Sequence, residues 1–161
     1  MSEAVSGKRY GIVSPEDRRR LDGLQFVNGL VDGSLPLNTM ARTLGYDIVE
    51  AAMGRVVVAA TPTAEMLNPH GTVHGGLAAT LLDTCMGLAV HTLVGHGFAS
   101  TTREFKISFL RPIAPDAGPL RAEGLVLGGR RVASAEGRLS DADGRLLAHG
   151  TTTCLIFERK D

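Results

Sequence analysis

The chain has no surplus of charge of either sign: 17 lysines and arginines stand against 17 aspartates and glutamates in 161 residues. That balance excludes a bulk positive field for nucleic acid and an acidic solvating tail. Any anionic ligand must therefore be met by a local group of basic residues. Cysteine is nearly absent. Cys85 and Cys154 sit inside apolar runs with no metal-ligand spacing to a partner, which reads as two buried thiols in a reducing compartment. Residues 1–10 lack the apolar stretch of a secretory signal, so a cytoplasmic location is expected. The one long apolar run, residues 73–94, contains Asp83 and His91, opens near two glycines and lies among strand-like segments. It predicts a buried helix and no membrane span. No repeat or linker interrupts the chain, and 43% hydrophobic with 21% charged residues suits a globular core.

What is present changes period along the chain. Residues 1–13 read as a loose arm. Ser14-Pro15-Glu16-Asp17 is a helix start with proline and acids in its first turn, and Leu21, Leu24, Val27 and Val31 continue it towards Gly33. Arg18-Arg19-Arg20 reads as its solvated face. Residues 41–52 and 55–61 predict two strands joined at Met53-Gly54. After the breaker cluster Asn68-Pro69-His70-Gly71 a helix is predicted over 75–94. Phe105, Ile107 and Phe109 then alternate with Glu104, Lys106 and Ser108. Residues 120–127 and 131–139 flank Gly128-Gly129, and 145–157 is entered through Asp143-Gly144, dipeptides that supply the positive φ of tight hairpins. The expected fold class is α+β: an antiparallel β-sheet wrapped around one long central helix, with an extra N-terminal helix. An N-terminal arm and helix would occupy residues 1–37 and the main domain residues 38–161.

Leu77, Leu81, Leu82, Met86, Leu88, Val90 and their neighbours leave the central helix apolar on nearly every face, so burial all round is expected. Asp83 is the only acid between Glu65 and Glu104. Burying its ionised form costs several kcal/mol, which implies either a hydroxyl partner such as Thr80 or Thr84, or a site wetted by substrate and water. At the helix start, His74-Gly75-Gly76 offers no serine, threonine or aspartate cap. The first amides are then free, and glycine allows a ligand to approach the backbone closely. Such an end suits an anion or a developing oxyanion, although glycines there also serve tight helix–sheet packing. Gly75 and Asp83 are eight residues apart, about 12 Å of helix rise. A reacting carbonyl needs both within about 3 Å. Two antiparallel copies of the helix about a twofold axis would bring each Asp83 to the partner's Gly75, so an obligate homodimer with two shared sites is expected.

The run Asn68-Pro69-His70-Gly71-Thr72-Val73-His74-Gly75-Gly76, followed by Leu82-Asp83-Thr84, resembles the hot-dog-fold acyl-CoA thioesterases of the phenylacetate-degradation (PaaI) type, in the superfamily of 4-hydroxybenzoyl-CoA thioesterase. The similarity covers roughly residues 44–157. It implies hydrolysis of acyl-CoA thioesters to free acid and CoA, with no metal or organic cofactor, coenzyme A being part of the substrate. By that resemblance the Gly75 amide would polarise the thioester carbonyl. Asn68 and His74 would line the same pocket, His74 as orienter and not as base. Asp83 of the opposite subunit would be general base or direct nucleophile; aspartate here, where some relatives use glutamate, leaves the two open. Thr101 matches a hydroxyl residue that helps to place the attacking water. CoA would lie along the subunit interface, with Arg111, Arg130 and Arg131 as candidates to meet its phosphates. Pairing of dimers into a homotetramer is also expected.

Rival readings are weaker but distinct. His70 and His74 have a spacing that holds zinc on a helix, yet Pro69 and Gly71 place His70 in a loop and no third ligand is near. No metal is expected. Met66, Leu67, Leu82 and Met86 are the expected walls of the acyl pocket, adaptable enough for aryl or aliphatic groups. An acyl-thioester hydratase or dehydratase stays open as an alternative, as does a non-catalytic acyl-CoA-binding protein. No nucleic-acid or membrane partner is expected, since a single N-terminal helix is too little for a helix-turn-helix.

Overall fold

A computed structural model describes residues 7–159; the outer part of the expected arm, residues 1–6, lies outside them. Six strands form one antiparallel sheet: β1 (Tyr46–Ala52), β2 (Arg55–Ala60), β3 (Phe98–Phe109), β4 (Leu120–Gly129), β5 (Val132–Ser140) and β6 (Leu146–Glu158). Their order across the sheet is β1-β2-β4-β5-β6-β3. Period-two alternation decides which face is covered. In β5, Ala133, Ala135 and Leu139 are fully buried, while Val132 is 55% exposed. Gly54 at φ 74° and Gly144 at φ 78° close the β1–β2 and β5–β6 turns in a conformation that side-chain-bearing residues avoid.

The long helix packs over β2, β4 and β5, and its depth is set by glycines in the sheet. Gly124, Gly137 and Gly150 pair across β4, β5 and β6, making a row without side chains. A Cβ on Gly124 would stand 2.4 Å from the Cys85 carbonyl oxygen, and one on Gly137 would stand 2.9 Å from both Leu82 and Met86. The helix backbone thus sinks into a groove that any side chain would fill. This helix spans Gly75–His91, ending three residues before the expected point. It is not buried all round: Thr80, Asp83, Thr84, Gly87, Leu88 and His91, at helical spacing, are only half-buried. The architecture is that of the hot-dog fold.

The N-terminal third departs from expectation in three respects. The helix over residues 15–33 is two, α1 (Pro15–Arg20) and α2 (Gly23–Asp32). Leu21 takes an extended backbone, and Asp22 starts α2 with a capping box, accepting from the Gln25 amide at 2.8 Å while Gln25 accepts from the Asp22 amide at 3.1 Å. Residues 41–44 are not strand but part of α3 (Thr39–Leu44), capped by Asn38 and ended by Gly45 at φ 61°; the central helix is therefore α4. Local capping outweighed the β-like composition there. The arm over residues 7–13 is docked and not loose. Lys8 Nζ reaches Asp47 Oδ1 at 2.6 Å and donates to the Ile48 carbonyl at 3.1 Å, and the Gly11 amide donates to Leu37 O at 2.8 Å. These partners lie 26–40 residues away, beyond the reach of local pattern.

Residues 7–37 pack onto β1 and onto the C-terminal end of α4. The Gly23 amide donates to Val94 O at 2.8 Å. A Cβ on Gly23 would fall 1.7 Å from the His91 carbonyl oxygen, so α2 meets the helix end backbone to backbone. Phe26 and His91 meet edge to face with ring centres 5.1 Å apart. No helix among the described residues is long and apolar enough to cross a membrane.

Candidate active site

α4 presents Asp83 on its half-buried stripe, and β3 supplies the group that holds it. Thr102 Oγ1 donates to Asp83 Oδ1 at 2.9 Å. The hydroxyl partner is neither Thr80, which donates to Gly76 O at 3.0 Å, nor Thr84. Asp83 Oδ2 meets no protein group among the described residues and is open to solvent. The carboxylate is therefore fixed at one oxygen and free at the other, beside a cavity of about 450 Å³.

Strand alternation sorts the β3 hydroxyls. Ser100 and Thr102 face α4, where Ser100 Oγ lies 2.9 Å from His91 Nδ1. Thr101 borders the same cavity, but its own side chain is exposed and makes no bond to Asp83. The register against β6 shifts between Thr102 and Glu104, so the alternation read from Glu104 to Phe109 does not carry through to position 102.

The helix start is capped after all, by His74. Its Nδ1 accepts from the Gly76 amide at 2.8 Å, which places the imidazole proton of the neutral ring on Nε2. The cap takes the Gly76 amide and leaves that of Gly75 without an acceptor among the described residues. Gly75 borders a hollow of about 270 Å³ together with Arg111 and the Phe109 ring. Arg111 donates to Leu146 O at 2.6 Å, which holds its guanidinium at that rim. Asn68 closes the loop before the helix: Oδ1 accepts from the His70 amide at 2.9 Å and the Thr72 amide at 3.3 Å, and Nδ2 donates to Thr72 Oγ1 at 2.8 Å.

Within one chain six of the candidate residues fall into three hollows, and Asn68 and His74, expected beside Gly75, border none of the three. Asp83 and Thr101 share the first, Gly75 and Arg111 the second. Arg130 and Arg131 border a third of about 480 Å³ beside Phe98 and Phe157. The expected acyl walls are corrected: Leu82 and Met86 are fully buried on the opposite side of α4, against Gly137, and Met66 and Leu67 pack on the core. What sequence reasoning missed is the N-terminal contribution, since Ile12, Val13, Phe26 and Leu30 border the Asp83 cavity.

Burial sets the electrostatics around this cavity. It pushes the Cys85 thiol far up, and raises Cys154 as well, against the weaker help of hydroxyls from Thr102 and Thr152. Both thiols are thereby kept in the unreactive form. His91 is pushed down to about 4, by burial first and by the charge of Arg159 second, so its ring is neutral at physiological pH. No group of three or more His, Cys, Asp or Glu among the described residues is placed to hold a metal ion.

Residues 70–148 match the family model described as the thioesterase superfamily. The Saccharolobus solfataricus protein SSO2140 is 34% identical over 118 residues, 73% of this chain and 82% of that protein. The acyl-coenzyme A thioesterase PaaI of Escherichia coli is 40% identical over 72 residues, a stretch that covers 45% of this chain and about half, 49%, of PaaI. Its solved structure superposes with a TM-score of 0.67 at 29% identity, covering 74% of this chain and 84% of that one. A phenylacetic acid degradation-related protein from Ralstonia eutropha JMP134 gives a TM-score of 0.72 at 32% identity, covering 81% and 98%. With a relative above 30% identity matched over nearly its whole length, this chain belongs to the thioesterase superfamily, as a PaaI-like thioesterase of the hot-dog fold.

Proposed function

We propose that the protein hydrolyses acyl-CoA thioesters to the free acid and CoA, with Asp83 supplying the base or nucleophile. One observation carries the reading: a carboxylate held at Oδ1 by Thr102 and open at Oδ2 beside a cavity of about 450 Å³. As base, Asp83 takes a proton from water as the oxygen attacks the thioester carbonyl; the C–S bond then breaks, and the leaving thiolate takes that proton back from Asp83 to give CoA. As nucleophile, the open oxygen attacks directly, the C–S bond breaks with release of CoA thiolate, and water hydrolyses the resulting anhydride to the free acid and the Asp83 carboxylate, the proton set free passing to the thiolate. In either case negative charge develops on the carbonyl oxygen, and an unpaired helix-terminal amide such as that of Gly75 stabilises it without reorganising.

Asp83 and Gly75 border different hollows of one chain, which favours a site completed by a second copy. The half-buried stripe of α4 and the 12-residue edge strand β3, with Phe98, Phe105 and Phe109 each more than 40% exposed, support twofold pairing. The proposed assembly is a homodimer, pairing further into a tetramer. His74 would hold the helix start in shape, Asn68 the loop before it, and Thr101 the attacking water. Arg111, Arg130 and Arg131 would meet the CoA phosphates, and no metal or organic cofactor would take part.

The test is a panel of acyl-CoAs assayed for thiol release by the wild type and by Asp83→Asn. Release by the wild type, lowered about 10²–10⁴-fold in the variant, is the expected result. Absence of release with every acyl group, or hydration of an enoyl-CoA in its place, would overturn the proposal.

A further inference from the structure

Half of the wall beside Asp83 comes from chain that the family match does not include. The match begins at residue 70, yet Ile12 and Val13 of the arm and Phe26 and Leu30 of α2 border the cavity together with Leu88 and His91 of α4. These four residues are apolar. Val13 and Leu30 are firmly placed, each 7% exposed, whereas Ile12 stands at the rim, 86% exposed. The arm is tied to β1 by the Lys8–Asp47 ion pair, whose side chains are each 9% exposed. α2 is fixed by backbone contact at Gly23 and by the Phe26–His91 ring contact. Along α4 the cavity runs from Asp83 past Gly87 to His91, eight residues and about 12 Å. Gly87 keeps its middle open, because an added Cβ there would meet nothing closer than Thr102 Oγ1 at 3.6 Å.

We propose that residues 7–37 are the acyl-specificity element of this enzyme, and that the cavity takes an uncharged, mainly apolar acyl group of medium length. That group lies along α4 with its carbonyl at Asp83 and its far end against Phe26 and the His91–Ser100 pair. The proposal rests on the thioesterase reading of Asp83, and it adds the substrate class and the residues that measure it. An apolar wall discriminates by length: each methylene gained or lost in such a pocket changes selectivity about 10-fold or more. The neutral His91 ring, already engaged by Ser100, offers no charge to a carboxylate at the acyl terminus, and Arg18 borders the cavity from an exposed position.

The experiment compares kcat/KM over straight-chain acyl-CoAs of increasing length, with a dicarboxylic acyl-CoA of matched length, for the wild type, Phe26→Ala and Gly87→Leu. Binding of non-hydrolysable alkyl thioethers of CoA is measured alongside. The expected result is a wild-type optimum at medium length, moved to longer chains by Phe26→Ala and to shorter ones by Gly87→Leu, with the ratio of long to short substrate changing about 10-fold or more in each. If Phe26→Ala does not fold, Gly87→Leu alone decides. An unmoved optimum, or preference for the dicarboxylic group, overturns the proposal. Should no acyl-CoA release thiol, the Asp83 reading fails separately. The cavity assignment then stands if thioether binding is length-dependent and lost in Gly87→Leu, and falls if no thioether binds.

Discussion

The Thr102 hydroxyl donates to Asp83 Oδ1 at 2.9 Å, across from the centre of α4 to the third strand. This bond does two things at once. It offsets part of the cost of holding a carboxylate in a mostly apolar helix, and it turns the second oxygen towards the cavity. A neighbouring hydroxyl one residue earlier would not serve, because alternate residues of a strand face opposite sides.

Thr102→Val should therefore lower kcat about 10-fold, the scale of one hydrogen bond to a charged group, with little effect on KM for a substrate held by CoA contacts. Thr101→Val should lower it less in the free carboxylate's orientation. Steady-state kinetics on both variants check this; equal losses would remove the distinction drawn between the two positions.

Gly75→Pro is a clean test of the unpaired amide. Position 75 is the first residue of α4, where proline is well tolerated, and His74 already has the extended backbone that precedes proline (φ −62°, ψ 134°). The Phe109 ring, 3.1 Å from a Cβ at this site, is 60% exposed and free to shift. The helix should persist while the donor is lost, lowering kcat about 10²–10³-fold. Circular dichroism measured with the kinetics separates lost chemistry from lost fold.

Gly124→Ala tests the glycine row. Its methyl would sit 2.4 Å from the Cys85 carbonyl oxygen, so α4 must lift from the sheet. A loss of about 1–3 kcal/mol in unfolding free energy is expected from overpacking, read from urea unfolding. Gly144→Ala is a poorer comparison because of its positive φ; Gly95→Ala, with open space around it, should be nearly neutral.

His91 makes stability depend on pH. The folded ring resists protonation down to about 4, whereas the unfolded chain takes up a proton near the ordinary value of 6.5. Above that value the ring is neutral in both states and contributes no pH dependence. As pH falls from 6.5 towards 4 the unfolded state gains protons that the folded state refuses, and stability drops by about 3 kcal/mol at most; below 4 this contribution levels off. Urea unfolding at pH 7 and pH 4.5 should show a smaller drop for His91→Gln than for the wild type.

The sequence alone determined the sheet and its central helix, because period-two alternation, glycine turns and one long apolar run are local signals that the solvent boundary reads directly. It also determined the two features on which the chemistry is proposed to turn, Asp83 in an apolar helix and glycine at the helix start. Tertiary structure alone decided the rest. Local pattern could not show that Thr102 and not Thr101 meets Asp83, since a register shift in β3 resets the alternation. Nor could it show that His74 caps its own helix, a role its type seldom fills. Gly124, Gly137 and Gly150 become one row only when three strands align. Residues 7–37 become a cavity wall only when Lys8 finds Asp47, 39 positions away. Contacts between distant segments depend on how the whole chain packs, and no short window of sequence contains both partners.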